Sequence, residues 1–306
     1  MPPIPGDFNK YRFDQIGSHN IVIGSLPKGR QGPAPAAELT VNMTRSFPQI
    51  RFIVLVGIGG GVPSIDHDIR LGDVAVSTPS GTQSGVMQFD MGKRLQDGAF
   101  RRTGYLSGPP TVILTGLVCL EKKTETQGHG IEHNIQSILA KNPQLRNRYS
   151  RPDSSSDRLY LSSYTHVSHG PCELVCDAVY EIARRKRHED DDSPAVHYGV
   201  IASGNVWVMD ASFRDELLAQ EKDVICFEME AVGVMNSFPC IVIRGISDYC
   251  DSHINQQWQG YASLSAAVYA KALLREIPPT RRLEVQPFSS LVRPRHMNGQ
   301  TSNEKL

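Results

Sequence analysis

Two short apolar runs that each end in acidic residues are the feature that most constrains this chain. Residues 224–227 (VICF) and 241–246 (IVIRGI) have the length and the β-branched composition of buried strands. Glu228 and Glu230 follow the first run, and Asp248 follows the second. The apolar residues between the runs favour a buried helix, and a strand, helix and strand in succession predict a parallel pair. The three acids are therefore expected at the carboxyl ends of neighbouring strands, where open α/β sheets bind ligands.

The spacing of these acids leaves two interpretations open. Glu228 and Glu230 precede the predicted helix, and carboxylates are favourable at the positive end of a helix dipole. The same two residues and Asp248 also suit acid/base chemistry, in which two carboxyl groups take opposite tasks. The spacing alone does not decide between them.

A glycine-rich stretch, residues 57–63 (GIGGGVP), raises a third possibility. The dinucleotide fingerprint G-x-G-x-x-G starting at Gly57 requires glycine at position 62, where this chain has Val62 followed by Pro63. A dinucleotide-dependent oxidoreductase is therefore disfavoured. A predicted strand at 52–56 leads into this loop, whose backbone amides suit an anion, a polarised water or a sugar.

Five segments, in this order and with these separations, resemble the purine nucleoside phosphorylase and nucleosidase superfamily. They are residues 56–63 (VGIGGGVP), 68–77 (DIRLGDVAVS), 201–205 (IASGN), 227–231 (FEMEA) and 246–248 (ISD). Residues 85–93 (GVMQFDMGK) and 247–253 (SDYCDSH) resemble the fungal branch of that superfamily. The resemblance implies an α/β fold of three layers, αβα, with a central mixed and mostly parallel sheet. Residues 1–10 contain no apolar strand, so the family's first strand is expected to be lacking.

The resemblance implies cleavage of the N-glycosidic bond of a purine nucleoside, by phosphorolysis or hydrolysis. Asp248 matches the acid that protonates purine N7, and partial burial should raise its pKa above the ordinary value of about 3.9. Glu230 matches the residue that accepts hydrogen bonds from the ribose hydroxyls and favours the cationic sugar of the transition state.

The remaining substrate pocket follows from the same matches. Met229 would lie against the ribose, with an ordinary core methionine as the alternative. Trp207 is larger than the residue expected at its position beside the base. The whole set of predicted substrate-binding residues is Phe227, Glu228, Met229, Ser203, Gly204, Asn205, Trp207, Gly59, Gly60 and Ser247.

The attacking nucleophile stays open at this point. Phosphorolysis needs cationic and amide donors, for which Arg70, Arg244 and Gly59 are the candidates. Arg70 can equally pair with Asp68 or Asp73 on the surface. In the resembled family the first-strand region supplies phosphate-binding arginines or the base that activates water. An alternative hypothesis is therefore a nucleoside-binding or regulatory module that has lost the chemistry.

Composition excludes several classes of partner. The chain has 306 residues, 40% of them hydrophobic, and a formal net charge of zero, which argues against nucleic acid and anionic membranes as partners. No apolar stretch approaches the roughly 18 residues of a membrane span, so a cytoplasmic protein is predicted. The six cysteines form no C-x-x-C pair, which favours buried thiols over disulfides or zinc. The resemblance implies no metal, no cofactor, and a homo-oligomer that binds a purine nucleoside, with phosphate if the reaction is phosphorolysis.

The pattern of the whole chain predicts one domain. Residues 1–10 are expected to be irregular, 11–277 to form the domain with a surface insertion at about 141–160, and 278–306 to be a disordered tail. Strands are predicted at 20–26, 52–56, 74–77, 197–202, 224–227 and 241–246. Helices are predicted at 34–46, 111–123, 171–188 and 262–275.

Overall fold

Ten strands and eight helices make up the part of the chain that the computed structural model describes, residues 4–167, 170–187 and 194–279. The strands are Arg12–Ile16 (β1), His19–Ile23 (β2), Ile53–Gly61 (β3), Val74–Ser77 (β4), Val86–Gln88 (β5), Gly92–Arg94 (β6), Phe100–Arg102 (β7), Val196–Ser203 (β8), Val224–Glu228 (β9) and Cys240–Asp248 (β10). The helices are Pro33–Ser46 (α1), Thr111–Gln127 (α2), Ile131–Lys141 (α3), Arg146–Tyr149 (α4), Cys172–Val175 (α5), Ala211–Gln220 (α6), Ala231–Met235 (α7) and Trp258–Glu276 (α8). Short 3-10 turns lie at Pro143–Leu145, Ser154–Ser156 and Ala178–Tyr180.

The central sheet has six strands in the order β4-β10-β3-β9-β8-β5, and β4 also pairs with β8. This extra pairing closes five of the strands into a ring. Most pairings are parallel, and the antiparallel exceptions are β10 with β4 and β3 with β9. The mixed, mostly parallel sheet predicted from the sequence is confirmed. The predicted parallel pairing of β9 with β10 is wrong, because β3 lies between them, parallel to β10 and antiparallel to β9.

The centre of the sheet is apolar because its strands are covered by helices. All nine residues of β10 are buried, as are all five of β9. Helix α8 lies across β10 and β3, with Trp258, Tyr261 and Tyr269 fully buried on its inner face. A Cβ atom at Gly245 would fall on the carbonyl oxygen of Ala262, so glycine at this position lets α8 approach the sheet closely.

Strands β1 and β2 form an antiparallel hairpin separate from the central sheet. Strand β3 pairs along one edge with β10, but β9 contacts only Gly60 and Gly61 on the other edge. In the described residues no strand covers that second edge from Ile53 to Gly59, and Val56 is 39% exposed there. A groove of about 610 Å³ runs along it, lined by β2, α1, β3 and α8, and it reaches Glu230 and Arg244.

Five of the six predicted strands lie in the central sheet at the predicted places, and the sixth is β2. The glycine-rich residues 57–61, expected to form a loop, instead continue β3. Glycine is needed in this part of β3 because neighbouring residues approach it closely. A Cβ at Gly59 would lie 2.6 Å from Cys226 Sγ and 2.7 Å from the Phe227 carbonyl oxygen. Helices α1, α2 and α8 match three predicted helices. Helix α6 and the hairpin β6–β7 were not predicted.

The predicted helix at 171–188 is wrong. Only Cys172–Val175 is helical, and the side chain of Asp177 accepts a hydrogen bond from the Val179 N–H, which stabilises a separate turn. The following backbone then pairs with a distant segment: Ile182 N–H donates to the Leu159 carbonyl over 2.8 Å. These pairings replace the hydrogen bonds of a helix. Apolar residues spaced as on one face of a helix predicted it, and they are largely exposed, with Leu174 at 81% and Val179 at 73%.

The structure describes most of residues 1–10 and all of the predicted insertion. Residues 4–11 contain no helix or strand. The predicted insertion at 141–160 holds α4 and two of the 3-10 turns, and its last residues, Leu159 and Tyr160, are buried. The predicted tail lies outside the described residues from position 280 onward. None of the helices within the described ranges combines the length and the apolarity that a bilayer crossing requires.

Candidate functional site

A buried ion-pair cluster lies where β9 ends and α7 begins. Arg244, on β10, is 4% exposed, and its Nη2 contacts Glu228 Oε2 and lies 3.1 Å from Glu230 Oε2. Its Nη1 donates to the carbonyl oxygen of Ile58 over 3.2 Å. One guanidinium therefore compensates two carboxylates and also binds the backbone of β3.

Glu228 serves the start of helix α7. Its carboxylate accepts hydrogen bonds from the backbone N–H of Glu230 at 3.0 Å and from that of Ala231 at 3.0 and 3.1 Å. These are N–H groups that a helix cannot satisfy internally at its first turn. Glu228 thus has the helix-start arrangement that the spacing of the acids allowed, and its side chain is fully enclosed.

Glu230 is held from a second side by the start of α1. The backbone N–H of Gly32 donates to Glu230 Oε1 over 3.0 Å. Gly32 has φ +94°, a conformation that favours glycine, and a Cβ there would lie 2.8 Å from Asn205 Oδ1. Both oxygens of Glu230 are therefore engaged, and the carboxylate is positioned beside the groove along β3.

Asp248 lies at the end of β10 in a different environment. Its Oδ1 accepts from the Cys250 N–H over 3.0 Å, and its Oδ2 is 2.9 Å from Ser247 Oγ, which donates to it. Burial raises the pKa of Asp248, the negative charge of Asp251 adds to this, and the two hydrogen bonds oppose it. The rise agrees with the sequence prediction. Cys250 adopts φ 54°, in the left-handed region, so the chain turns sharply directly after Asp248 and Tyr249.

Asp248 and the end of β9 lie on opposite sides of the glycines of β3. In the sheet register Gly60 is paired with Asp248 on one side and with Phe227 on the other. Two strand spacings separate those partners, or about 10 Å between backbones. A Cβ at Gly60 would lie 2.7 Å from Asp248 Oδ1, so the glycine gives the acid room at this point.

The predicted base-side residues line the neighbouring strand ends. Ser203 is fully buried, and its Oγ accepts from the Val232 N–H over 3.2 Å. Phe227 is buried and meets Phe89 edge to face, with ring centres 5.3 Å apart. Other predicted members of this set differ in exposure: Gly204 packs on Phe89, Met229 is half-buried, Asn205 is exposed, and Trp207 is 50% exposed.

The two predicted phosphate-binding arginines are both engaged by other groups. Arg70 forms an ion pair with Asp68 over 2.6 Å and contacts the Arg185 carbonyl, which is the surface pairing that the sequence allowed. Arg244 is compensated by two carboxylates, as described above. His19 is also structural, since its Nε2 lies 2.8 Å from the Ile277 carbonyl oxygen.

Sequence reasoning missed two backbone groups of this site. The Gly32 N–H binds Glu230 and the Cys250 N–H binds Asp248. The Gly32-Pro33 pair signals a turn before a helix, but its partner is 198 positions away and no local pattern shows it. Cys250 carries no turn signal of its own.

Comparison with known proteins matches one family over most of the chain. The family model described as the phosphorylase superfamily matches residues 4–275. A nucleotide-binding leucine-rich repeat (NLR)-like protein of Hyaloscypha variabilis is 44% identical over 273 residues, which are 89% of this chain and 26% of that protein. The chain thus spans about a quarter of the length of this relative.

Solved structures of low sequence identity share the fold. A 5′-methylthioadenosine/S-adenosylhomocysteine nucleosidase from Neisseria meningitidis, in complex with methylthio-immucillin-A, has a TM-score of 0.55 and 13% identity, over 90% of this chain and 89% of that one. The futalosine hydrolase of Helicobacter pylori has a TM-score of 0.51 and 15% identity, over 90% and 88% of the two chains. At these identities the likeness concerns the fold alone.

Proposed function

Because the chain belongs to the phosphorylase superfamily, we propose that it cleaves the N-glycosidic bond of a purine nucleoside. Asp248 is the acid toward the purine, and Glu230 accepts hydrogen bonds from the ribose hydroxyls. The observation that carries this proposal is the opposite electrostatic setting of the two carboxyl groups. Burial raises the pKa of Asp248, while Glu230 lies beside the guanidinium of Arg244.

The two settings match the two demands of the reaction. As the bond between C1′ and the purine nitrogen breaks, negative charge develops on the base and positive charge on the ribose. A protonated Asp248 donates its proton to purine N7, so that the base leaves as a neutral molecule. An ionised Glu230 stabilises the oxocarbenium ion and orients the sugar through its hydroxyls.

We propose water rather than phosphate as the nucleophile. Its oxygen bonds to C1′ as the bond from C1′ to the purine nitrogen breaks, and the proton that it loses replaces, through solvent, the one that Asp248 gave to the base. Phosphate needs cationic donors whose charge is available to it. Arg244 already compensates Glu228 and Glu230, and Arg70 is paired with Asp68. Neither of the predicted phosphate ligands meets that need. The names of the two structural neighbours, a nucleosidase and a hydrolase, agree with hydrolysis at the level of the fold.

The test is release of free purine from adenosine, inosine, guanosine and methylthioadenosine, measured by chromatography with and without phosphate. Release that does not depend on phosphate is expected. Replacing Asp248 by Asn should lower kcat by about 10²–10⁴-fold with little change in substrate affinity. Asp215→Asn is the matched control, because Asp215 is 41% exposed and pairs with Arg214 on α6. Equal turnover by the Asp248→Asn chain would remove Asp248 from the mechanism, and release only with phosphate would overturn the choice of water.

The second candidate is a nucleoside-binding module without turnover. It is favoured by the uncovered edge of β3, whose groove reaches Glu230, and by the match to a quarter of an NLR-like protein. Calorimetric titration separates the two candidates: a nucleoside that binds but releases no purine supports the module and contradicts the enzyme.

A further inference from the structure

Three potential metal-binding side chains meet in the segment that follows α4. His166 Nδ1 lies 3.1 Å from Cys176 Sγ and 3.7 Å from Cys172 Sγ, and all three ligand atoms lie within 4.8 Å of one another. All three residues are partly buried. This cluster takes no part in the proposed reaction.

The spacing suits a tetrahedral zinc ion. With Zn–S near 2.3 Å and Zn–N near 2.1 Å, tetrahedral angles place neighbouring ligand atoms about 3.6–3.8 Å apart. The observed separations bracket that value, so small side-chain rotations bring both sulfurs and the nitrogen to one centre. Two thiolates and one imidazole are ligands that zinc prefers in proteins.

His253 lies next to the cluster, with neither ring nitrogen yet within 4.8 Å of all three ligand atoms. His253 is 8% exposed, and neither of its ring nitrogens has a hydrogen-bond partner. Its ring is perpendicular to that of His166, with centres 5.7 Å apart. Two imidazoles on one tetrahedral zinc have ring centres about 5 Å apart, so the observed distance is close to that of shared coordination.

A carboxylate completes the arrangement behind His253. Asp251 Oδ2 is buried without a partner and lies 3.6 Å from His253 Nδ1. In zinc sites the ring nitrogen that does not bind the metal usually donates to such a carboxylate, which fixes the tautomer. With Nδ1 toward Asp251, Nε2 is the nitrogen left for the metal. Asp251 Oδ1 accepts from the His253 backbone N–H over 2.8 Å, so the groups without partners are Asp251 Oδ2 and the His253 ring nitrogens, and these favour a cation beside Nε2.

We propose that His166, Cys172, Cys176 and His253 bind a structural zinc ion. Both thiols lose their protons to solvent when the ion binds, giving two Zn–S and two Zn–N bonds. The spacing H-x5-C-x3-C differs from the C-x-x-C pair, and for that reason the sequence favoured buried thiols. The zinc joins the segment around 166–176 to the loop that follows Asp248, which is already in contact through the His166 N–H and Ser252 Oγ at 2.9 Å. This proposal does not depend on the proposed function.

The test is the metal content of the reduced full-length chain after incubation with zinc and dialysis against metal-free buffer. About one zinc per chain is expected for the wild type and for Cys119→Ser, the control at an exposed cysteine outside the cluster. Cys176→Ser and His253→Gln should retain several-fold less. Cobalt(II) should give a thiolate-to-metal charge-transfer band in the wild type and the control. A further readout needs no variant: zinc should raise the Tm of the wild type, and a chelator should reverse the rise.

Two results would overturn the proposal. One is wild-type protein that retains no more zinc than the Cys172→Ser/Cys176→Ser double variant and shows no change in Tm with the metal. The other is a disulfide: four rather than six titratable thiols in protein purified without reductant, with zinc failing to bind after reduction.

Discussion

Replacing Arg244 by Met tests the central electrostatic claim about the site. The substitution keeps most of the side-chain volume and removes the positive charge. It leaves Glu228, whose side chain is 1% exposed, and Glu230, at 15%, without their cation. Removing one partner of a buried ion pair typically costs about 3–5 kcal/mol. Glu228 keeps its hydrogen bonds from the Glu230 and Ala231 backbone, so we expect the lower end, about 3 kcal/mol. That is a large part of the roughly 5–15 kcal/mol by which a domain is stable.

The assay is urea unfolding of the wild type, of Arg244→Met, and of the double variant Arg244→Met/Glu228→Gln. The double variant should recover much of the loss, because the most enclosed unpaired charge is gone. Lys123→Met is the matched control, since Lys123 pairs with Glu276 at the surface with 52% of its side chain exposed, where a pair contributes about 0–1 kcal/mol. A loss below about 1 kcal/mol for Arg244→Met, or a double variant no more stable than the single one, would refute the reasoning.

Three further predictions concern the acids and the glycines around them. Because burial raises the pKa of Asp248 in the folded chain, the stability contributed by its protonated form is lost as pH rises through that pKa. Asp248→Asn should therefore gain stability over the wild type in urea unfolding as pH rises above the ordinary carboxyl value of about 3.9, and a constant difference would contradict this. Gly60→Ala should cost about 1–3 kcal/mol and lower kcat, because the new Cβ would lie 2.7 Å from Asp248 Oδ1. Burial raises the pKa of Asp73, but the hydrogen bonds from Arg187 and His197 lower it by more, so the net shift is downward. Asp73→Asn should cost roughly 3–5 kcal/mol at neutral pH, and the difference should shrink in acid as the wild-type carboxylate is protonated; a pH-independent cost would argue for packing alone.

The sheet could be predicted from the sequence because its strands carry their own signals. β4, β8, β9 and β10 are short apolar runs bounded by turn residues, and each lies at the predicted place within a few residues. The acids follow the ends of β9 and β10, but these two strands are not the parallel neighbours that the sequence predicts, since β3 lies between them. The resemblance implied partial burial of Asp248 and a raised pKa, and Asp248 is the buried last residue of β10, with its pKa raised by burial.

What failed were features set by contacts between distant segments. Residues 171–188 have helical periodicity, yet Ile182 pairs with Leu159 across the fold, and no local pattern reports that competition. Arg244 was interpreted as an anion ligand because an isolated arginine in a site suggests one. Its two carboxylate partners come from β9, which β3 separates from β10, and from the start of α7, and their approach depends on the register of β9 against β3.

The two contacts of Glu230 determine how a ligand would meet it. Gly32 holds one oxygen and Arg244 the other, so the carboxylate is fixed in direction before any nucleoside arrives. A carboxylate has about four lone-pair directions, and these contacts use two of them. Under the proposed function, the ribose hydroxyls would find an acceptor whose rotamer was already selected when the chain folded. Little conformational entropy would then remain to be lost at the sugar on binding, and discrimination between sugars would rest on how well their hydroxyls match two fixed directions.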